Sequence, residues 1–213
     1  MKAKLWMAFI ALFVFSAFTT DRTVTIFMIG DSTMANKSLN GGNRERGWGH
    51  VLGGFFSEEV HVDNHAVNGR SSKSFIDEGR WAVVLDKIKP GDYVFIQFGH
   101  NDEKADSARH TEPGTTFDDN LRRFVKETRE KGGIPVLFNS IVRRSFGHNE
   151  HAVAEDDMRK DMSKDMMAEE GNVLVDTHGK YLDSPRRVAE ELEVPFVDMN
   201  KITHDLVEGL GAE

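Results

Sequence analysis

Gly30-Asp31-Ser32 follows the apolar run Val24-Thr25-Ile26-Phe27-Met28-Ile29 without a break. The run alternates poorly and is rich in β-branched residues, which predicts a strand buried on both faces of a parallel sheet. A Gly-Asp-Ser at its end lets the chain turn sharply and lifts a hydroxyl to the carboxyl edge, where open α/β sheets place their chemistry. A bare strand-end turn, with Asp and Ser capping the next helix, uses the same residues. Two later strand ends weigh on that choice: Asn68-Gly69, and Gly99-His100-Asn101-Asp102. Ester hydrolysis through serine needs a nucleophilic hydroxyl and donors aimed at the developing oxyanion. Ser32 would be that nucleophile, with the N–H of Ser32, the N–H of Gly69 and the side-chain amide of Asn101 as donors. Plainer roles exist for each. Asn101 can cap the turn after its strand, and Gly69 can serve as a φ > 0 turn residue, which is compatible with oxyanion donation.

Positioning these residues requires a repeating strand–helix order. Val60 to Val67 alternates and predicts a second strand, followed by a polar turn at Asn68–Ser72. Gly41–Gly47 reads as a loop, and Trp48 to Phe56 as a short helix. Trp81, Val84, Leu85 and Ile88 fall at helical spacing before Pro90-Gly91, and Tyr93–Phe98 is the clearest central strand. Phe117, Leu121, Phe124 and Val125 mark a helix closed by Gly132-Gly133, and Ile134–Asn139 is the next strand. A helix over about 155–168, a short apolar piece at Val173–Val175, a helix carrying Val188, Ala189 and Leu192, and a strand at Val194–Asp198 follow. Ile202, Leu206 and Leu210 sit on a last helix. This alternation predicts an α/β fold, a three-layer α/β/α sandwich around a parallel, flavodoxin-like sheet of strand order 2-1-3-4-5.

The 213 residues suit one domain behind a short leader. Lys2 and Lys4, an apolar core from Leu5 to Phe15 and small residues after it form a secretory signal peptide pattern over residues 1–20, leaving 21–213 as the domain. A secreted or periplasmic protein with no stable membrane span after signal removal is expected. Cysteine is absent, so export brings no disulfides and any metal site would rest on His and carboxylates. A formal net charge of -8 argues against nucleic acid as a partner. Asp157, Asp161 and Asp165 recur at helical spacing beside Met158, Met162 and Met166, which reads as a solvated acidic face, with a metal-binding carboxylate ridge as the lesser alternative.

Gly30-Asp31-Ser32, Asn68-Gly69 and Gly99-His100-Asn101-Asp102 resemble, in order and spacing, the first three sequence blocks of the SGNH (GDSL-type) hydrolases. Gly-Asp-Ser-Thr-Met-Ala, Asn-Gly-Arg-Ser-Ser-Lys-Ser-Phe, Gln97-Phe98 before the third block, and Arg143-Arg144-Ser145-Phe146 are similar to one branch, the rhamnogalacturonan acetylesterases. The resemblance implies a secreted serine esterase that removes acetyl groups from pectic polysaccharide through an acyl-enzyme. It implies no cofactor and no metal, an acetylated polysaccharide or oligosaccharide as partner, and a monomer. Asp31, Asp102 and Arg143 are candidate substrate contacts, Arg143 through a uronate carboxylate, with a surface or structural role as the alternative. An SGNH esterase for another glycan or a lipid ester is the other enzymatic reading.

A serine nucleophile needs a general base, and a histidine base needs a partner that orients it. In this family both come from an Asp-x-x-His segment near the carboxyl terminus, and none occurs in these 213 residues. The chain stops at Leu210-Gly211-Ala212-Glu213, where similar enzymes continue into that segment and a closing helix. Asp176-Thr177-His178 reads as loop structure or rim, with His178 as a substitute base the lesser alternative. His204 reads as a solvated helical residue, and His148 and His151 as surface, with a weak metal site as the alternative. The expectation is a poor enzyme as written, with the missing pair supplied by sequence beyond Glu213. A non-catalytic carbohydrate-binding or decayed relative is the competing expectation.

Overall fold

The computed structural model describes residues 23–147 and 173–211. The leader at 1–20, the helix expected over 155–168, the Asp157–Asp161–Asp165 row, and His148 and His151 lie outside the described residues.

Five parallel strands form the main sheet in the order β2-β1-β3-β4-β7. They are β1 (Val24–Gly30), β2 (Val60–Asn64), β3 (Tyr93–Gln97), β4 (Ile134–Phe138) and β7 (Phe196–Val197). Taken as the first to fifth strands of that sheet, they have the expected order 2-1-3-4-5. Side chains alternate across it. Phe27 and Ile29 of β1 and Val94 and Ile96 of β3 enter one core cluster. Ile26 and Met28 enter a second on the opposite face, with Tyr93 and Phe95 packed against it. Both sets are apolar because both faces are covered, which is why the strands read as continuous hydrophobic runs.

On the larger core face lie α2 (Ser72–Asp77), α3 (Arg80–Leu85), α4 (Thr116–Glu130) and α5 (Asp183–Leu192). They contribute Phe75, Trp81 and Val84, Phe117 to Val125, and Val188 with Ala189. The aromatic rings pack edge to face and offset, with Trp81 and Phe124 centroids at 5.1 Å and Phe98 and Phe124 at 5.5 Å. Trp48 and Leu52 of α1 (Trp48–Leu52) cover part of the smaller core beside Met34 and Ala35. A last helix, α6 (Met199–Leu210), starts beside β4, where the Asn200 N–H donates to Asn139 Oδ1 at 2.9 Å.

Three local features differ from the sequence expectation. The predicted helix 48–56 stops at Leu52 and tightens into a 3-10 turn at Gly53–Phe55, because the paired glycines disfavour α propagation. The turn after Asn68-Gly69 runs directly into α2, capped by Ser71, whose Oγ accepts from the Ser74 N–H at 3.1 Å while Ser74 Oγ accepts from the Ser71 N–H at 2.9 Å. The apolar piece at 173–175 begins as β6 (Val173–Leu174), paired antiparallel with β5 (Phe146–Gly147) in a two-stranded ribbon.

Candidate active site

Strand β1 has β2 on one side and β3 on the other, so the chain reverses its winding between β1 and β3. Open sheets form a crevice at such a switch point, outside the carboxyl ends of the strands. Ser32 leaves β1 there, and Asn101 lies in the turn after β3.

The β1 turn is held tightly. Asp31 Oδ1 accepts from the Thr33 N–H at 2.9 Å and from Thr33 Oγ1 at 2.8 Å, and the Ala35 N–H donates to Asp31 O at 3.0 Å. Gly30 is required here, since a Cβ would lie 2.6 Å from the Gln97 carbonyl oxygen across the sheet. Below the turn, Gln97 Oε1 accepts from Trp48 Nε1 at 2.7 Å with Thr33 Oγ1 3.3 Å away, and Gln97 Nε2 donates to Asn139 O at 3.2 Å. A fully buried amide thus locks β1, α1 and the end of β4 together under Ser32. Ser32 itself is half-buried.

Gly69 occupies the third position of a tight turn closed by the Arg70 N–H on Val67 O at 3.3 Å, with φ +74. That left-handed geometry is open to glycine and strained for residues with a Cβ. The N–H groups of Ser32 and Gly69 donate to no backbone carbonyl among the described residues. Asn101 is buried, and its Nδ2 donates to Arg70 O at 3.2 Å, which ties the turn after β3 to the residue following Gly69. Its second Nδ2 proton is not spent in that bond. Two unspent backbone donors and one amide proton at a switch point are the chemistry of a site for a developing oxyanion.

Residues 28–210 match the model of the GDSL-like lipase/acylhydrolase family. The chain belongs to that family. It is therefore a carboxylic ester hydrolase of the GDSL type. It is 36% identical over 192 residues to rhamnogalacturonan acetylesterase RhgT of Bacillus subtilis, covering 90% of this chain and 72% of the relative. It is 38% identical over 160 residues to the probable rhamnogalacturonan acetylesterase YesY of the same organism, covering 74% and 71%. The crystal structure of protein YxiM from Bacillus subtilis superposes with a TM-score of 0.67 at 24% identity, over 89% of this chain and 47% of that one, which establishes the shared fold.

The GDSL fold buries the three residues expected to touch substrate. Asp31 and Asp102 have no exposed surface, and Arg143 is also buried. Asp102 accepts from the Ser72 N–H at 3.0 Å, Ser72 Oγ, Thr111 Oγ1 at 2.9 Å and the Gly99 N–H at 3.1 Å. Those four donors make it the peg that fixes the Asn101 turn against the start of α2. Burial pushes its carboxyl pKa up to about 7, against the pull of the Ser72 and Thr111 hydrogen bonds. Burial likewise raises Asp31, although Thr33 and the charges of His178 and Arg143 draw it down. Arg143 forms an ion pair with Glu103 and donates to Thr177 Oγ1 at 2.9 Å and to His100 O at 3.3 Å. Asp31, Asp102 and Arg143, the expected substrate contacts, are held in interior positions by these protein partners.

His178 is interior as well, and not on the rim. Its Nδ1 lies 2.9 Å from Glu103 Oε2 and its Nε2 lies 3.1 Å from Ile141 O, so neither ring nitrogen is free to take a proton from Ser32. Its ring meets His100 edge-on with centroids at 4.3 Å. Burial, then the charges of His178 and Arg143, hold His100 well below the ordinary imidazole range. His204 faces Glu208 across one turn of α6 at 3.8 Å. Sequence reasoning missed Glu103 and Thr111, and held Gln97 only as part of the motif before the third block. The only signal for Glu103 was its position directly after the Gly99–Asp102 block.

Proposed function

We propose that this GDSL hydrolase is an exported carbohydrate O-acetylesterase acting on acetylated rhamnogalacturonan. The reading is supported above all by the concurrence at one switch point of Ser32, the unspent N–H of Gly69 and the tethered amide of Asn101. Similarity to two Bacillus subtilis proteins named for rhamnogalacturonan acetylester cleavage supports the substrate. The leader pattern at residues 1–20 supports export.

In this mechanism Ser32 Oγ attacks the acetyl carbonyl carbon while its proton passes to a general base. The carbonyl electron pair moves to oxygen, and the N–H groups of Ser32 and Gly69 with Asn101 Nδ2 hold that oxyanion. Collapse breaks the bond to the sugar oxygen, which leaves with a proton as a hydroxyl, and acetyl-Ser32 remains. Water then adds to the acetyl carbon, and the second collapse frees acetate and restores Ser32.

Acetate release from acetylated rhamnogalacturonan oligosaccharides, compared with acetylated xylan and a long-chain acyl ester, tests the reading. Faster release from the pectic substrate, abolished in Ser32→Ala, is expected. A long-chain ester cleaved faster than the acetylated sugars would overturn the substrate, and a Ser32→Ala protein at full rate would overturn the mechanism.

A further inference from the structure

Asn101 can hold an oxyanion only if its amide presents nitrogen, and not oxygen, to the crevice. Two contacts decide this. Nδ2 lies 3.2 Å from the Arg70 carbonyl oxygen, and Oδ1 lies 3.5 Å from Arg109 Nη1. A flipped amide would set oxygen against a carbonyl oxygen and N–H against a guanidinium, both repulsive. We infer that Arg109 is the positioning residue of the oxyanion site: it fixes the orientation of the Asn101 amide and polarises it, without touching substrate. The inference rests on the proposed role of Asn101.

The surroundings of Arg109 suit that task. Its Nε donates to Asp106 Oδ2 at 2.6 Å, so the guanidinium is braced from behind. The loop carrying it is pinned at its far end, where the Thr111 N–H donates to Asp102 O at 3.0 Å and Thr111 Oγ1 donates to Asp102 Oδ1 at 2.9 Å. His110 adds a contact of its Nδ1 with Lys104 O at 2.9 Å. Through Thr111 the loop of Arg109 is tied to the same Asp102 that fixes the Asn101 turn. At 3.5 Å the Arg109–Asn101 contact is a charge on a dipole. A cation at Oδ1 draws electron density from the amide and makes its remaining N–H a better donor to a negative oxygen. That benefit grows as charge develops, so it is larger in the transition state than in the ground state.

The test is a double-mutant cycle on p-nitrophenyl acetate hydrolysis by the 213-residue chain in imidazole buffer, which supplies a soluble base. Asn101→Ala is expected to lower kcat by about 10²-fold, the scale of one oxyanion donor. Arg109→Met is expected to lower kcat by roughly 10-fold with KM within about twofold, and to change nothing further in the Asn101→Ala background. Asp106→Asn, which loosens the guanidinium without touching Asn101, gives a smaller loss of the same kind and serves if Arg109→Met does not fold. An equal loss from Arg109→Met in both backgrounds, or a rise in KM at constant kcat, would show a direct substrate contact and overturn the inference. Unchanged kcat in Arg109→Met with a large loss in Asn101→Ala would overturn it while leaving the proposed function standing. Unchanged kcat in Asn101→Ala would overturn the oxyanion role of Asn101 and, with it, this inference.

Discussion

Asp102 and Ser72 are joined twice, through the backbone N–H at 3.0 Å and through the hydroxyl, although thirty residues separate them. The bond closes the turn after β3 onto the first residue of α2, so Asn101 and Gly69 are set by one buried carboxylate.

That carboxylate makes stability depend on pH. Burial raises the folded pKa of Asp102 to about 7, above the ordinary value of 3.8. Between those values the folded chain holds a proton that the unfolded chain has lost. The stabilising contribution is complete below about pH 4, shrinks as pH rises, and is gone above about pH 7, at a limiting slope of about 1.4 kcal/mol per pH unit. Asp102→Asn cannot titrate. Urea unfolding from pH 4 to pH 8 is expected to show this decline in wild type and a shallower one in Asp102→Asn. Parallel curves for the two proteins would refute the assignment.

Glu103 carries a second buried load. Its carboxylate meets Arg143 and His178, whose side chains are 7% and 0% exposed. Removing one member of a buried ionic cluster leaves the rest uncompensated, at a cost of about 3–5 kcal/mol. Glu103→Gln is therefore expected to lower the unfolding free energy by that amount, read from the urea midpoint at pH 7. A loss below about 1 kcal/mol would mean that water reaches the cluster.

The strand order and the three strand-end blocks were legible because they are local. β-branched runs buried on both faces announce parallel strands, and a turn block after each announces the carboxyl edge. The supports behind those blocks were not legible. Glu103 meets His178 across 75 residues, and Gln97 meets Trp48 across 49, pairings that exist only after the sheet has formed. Helix α2 escaped notice because its six residues carry only Phe75 and Ile76 as large apolar groups inside a polar stretch. The interior places of Asp102 and Arg143 had no signature either, since a charged residue beside a site motif reads the same whether it points outward or inward.

Gly69 tests whether the turn matters as backbone alone. A Cβ there meets nothing within 4 Å, so Gly69→Ala adds no clash, only the cost of φ +74. For an L-residue that cost is about 1–2 kcal/mol. The variant is expected to lose about that much stability and, as the turn relaxes and its N–H swings away, to lose kcat on p-nitrophenyl acetate by roughly 10²-fold. Full kcat with the stability loss alone would reduce Gly69 to a turn former.

The last prediction concerns the proton that Ser32 must surrender. Asp-x-x-His is absent from the 213 residues, and no described histidine hydrogen-bonds Ser32. His50 accepts from the Lys37 N–H at 3.2 Å, His65 sits by Asp63 and Lys87, His110 by Lys104 O and Glu112, and His178 by Glu103 and Ile141. A positioned general base contributes on the order of 10²–10⁴ in rate, and imidazole in solution can replace part of it. Hydrolysis of p-nitrophenyl acetate by the 213-residue chain is expected to be slow and to rise steadily with imidazole concentration, after subtraction of the uncatalysed imidazole reaction. Ser32→Ala should follow the uncatalysed reaction alone. A wild-type rate already high without imidazole, and unmoved by it, would mean that His148, His151 or another group outside the described residues reaches Ser32. His148→Ala and His151→Ala would then identify which.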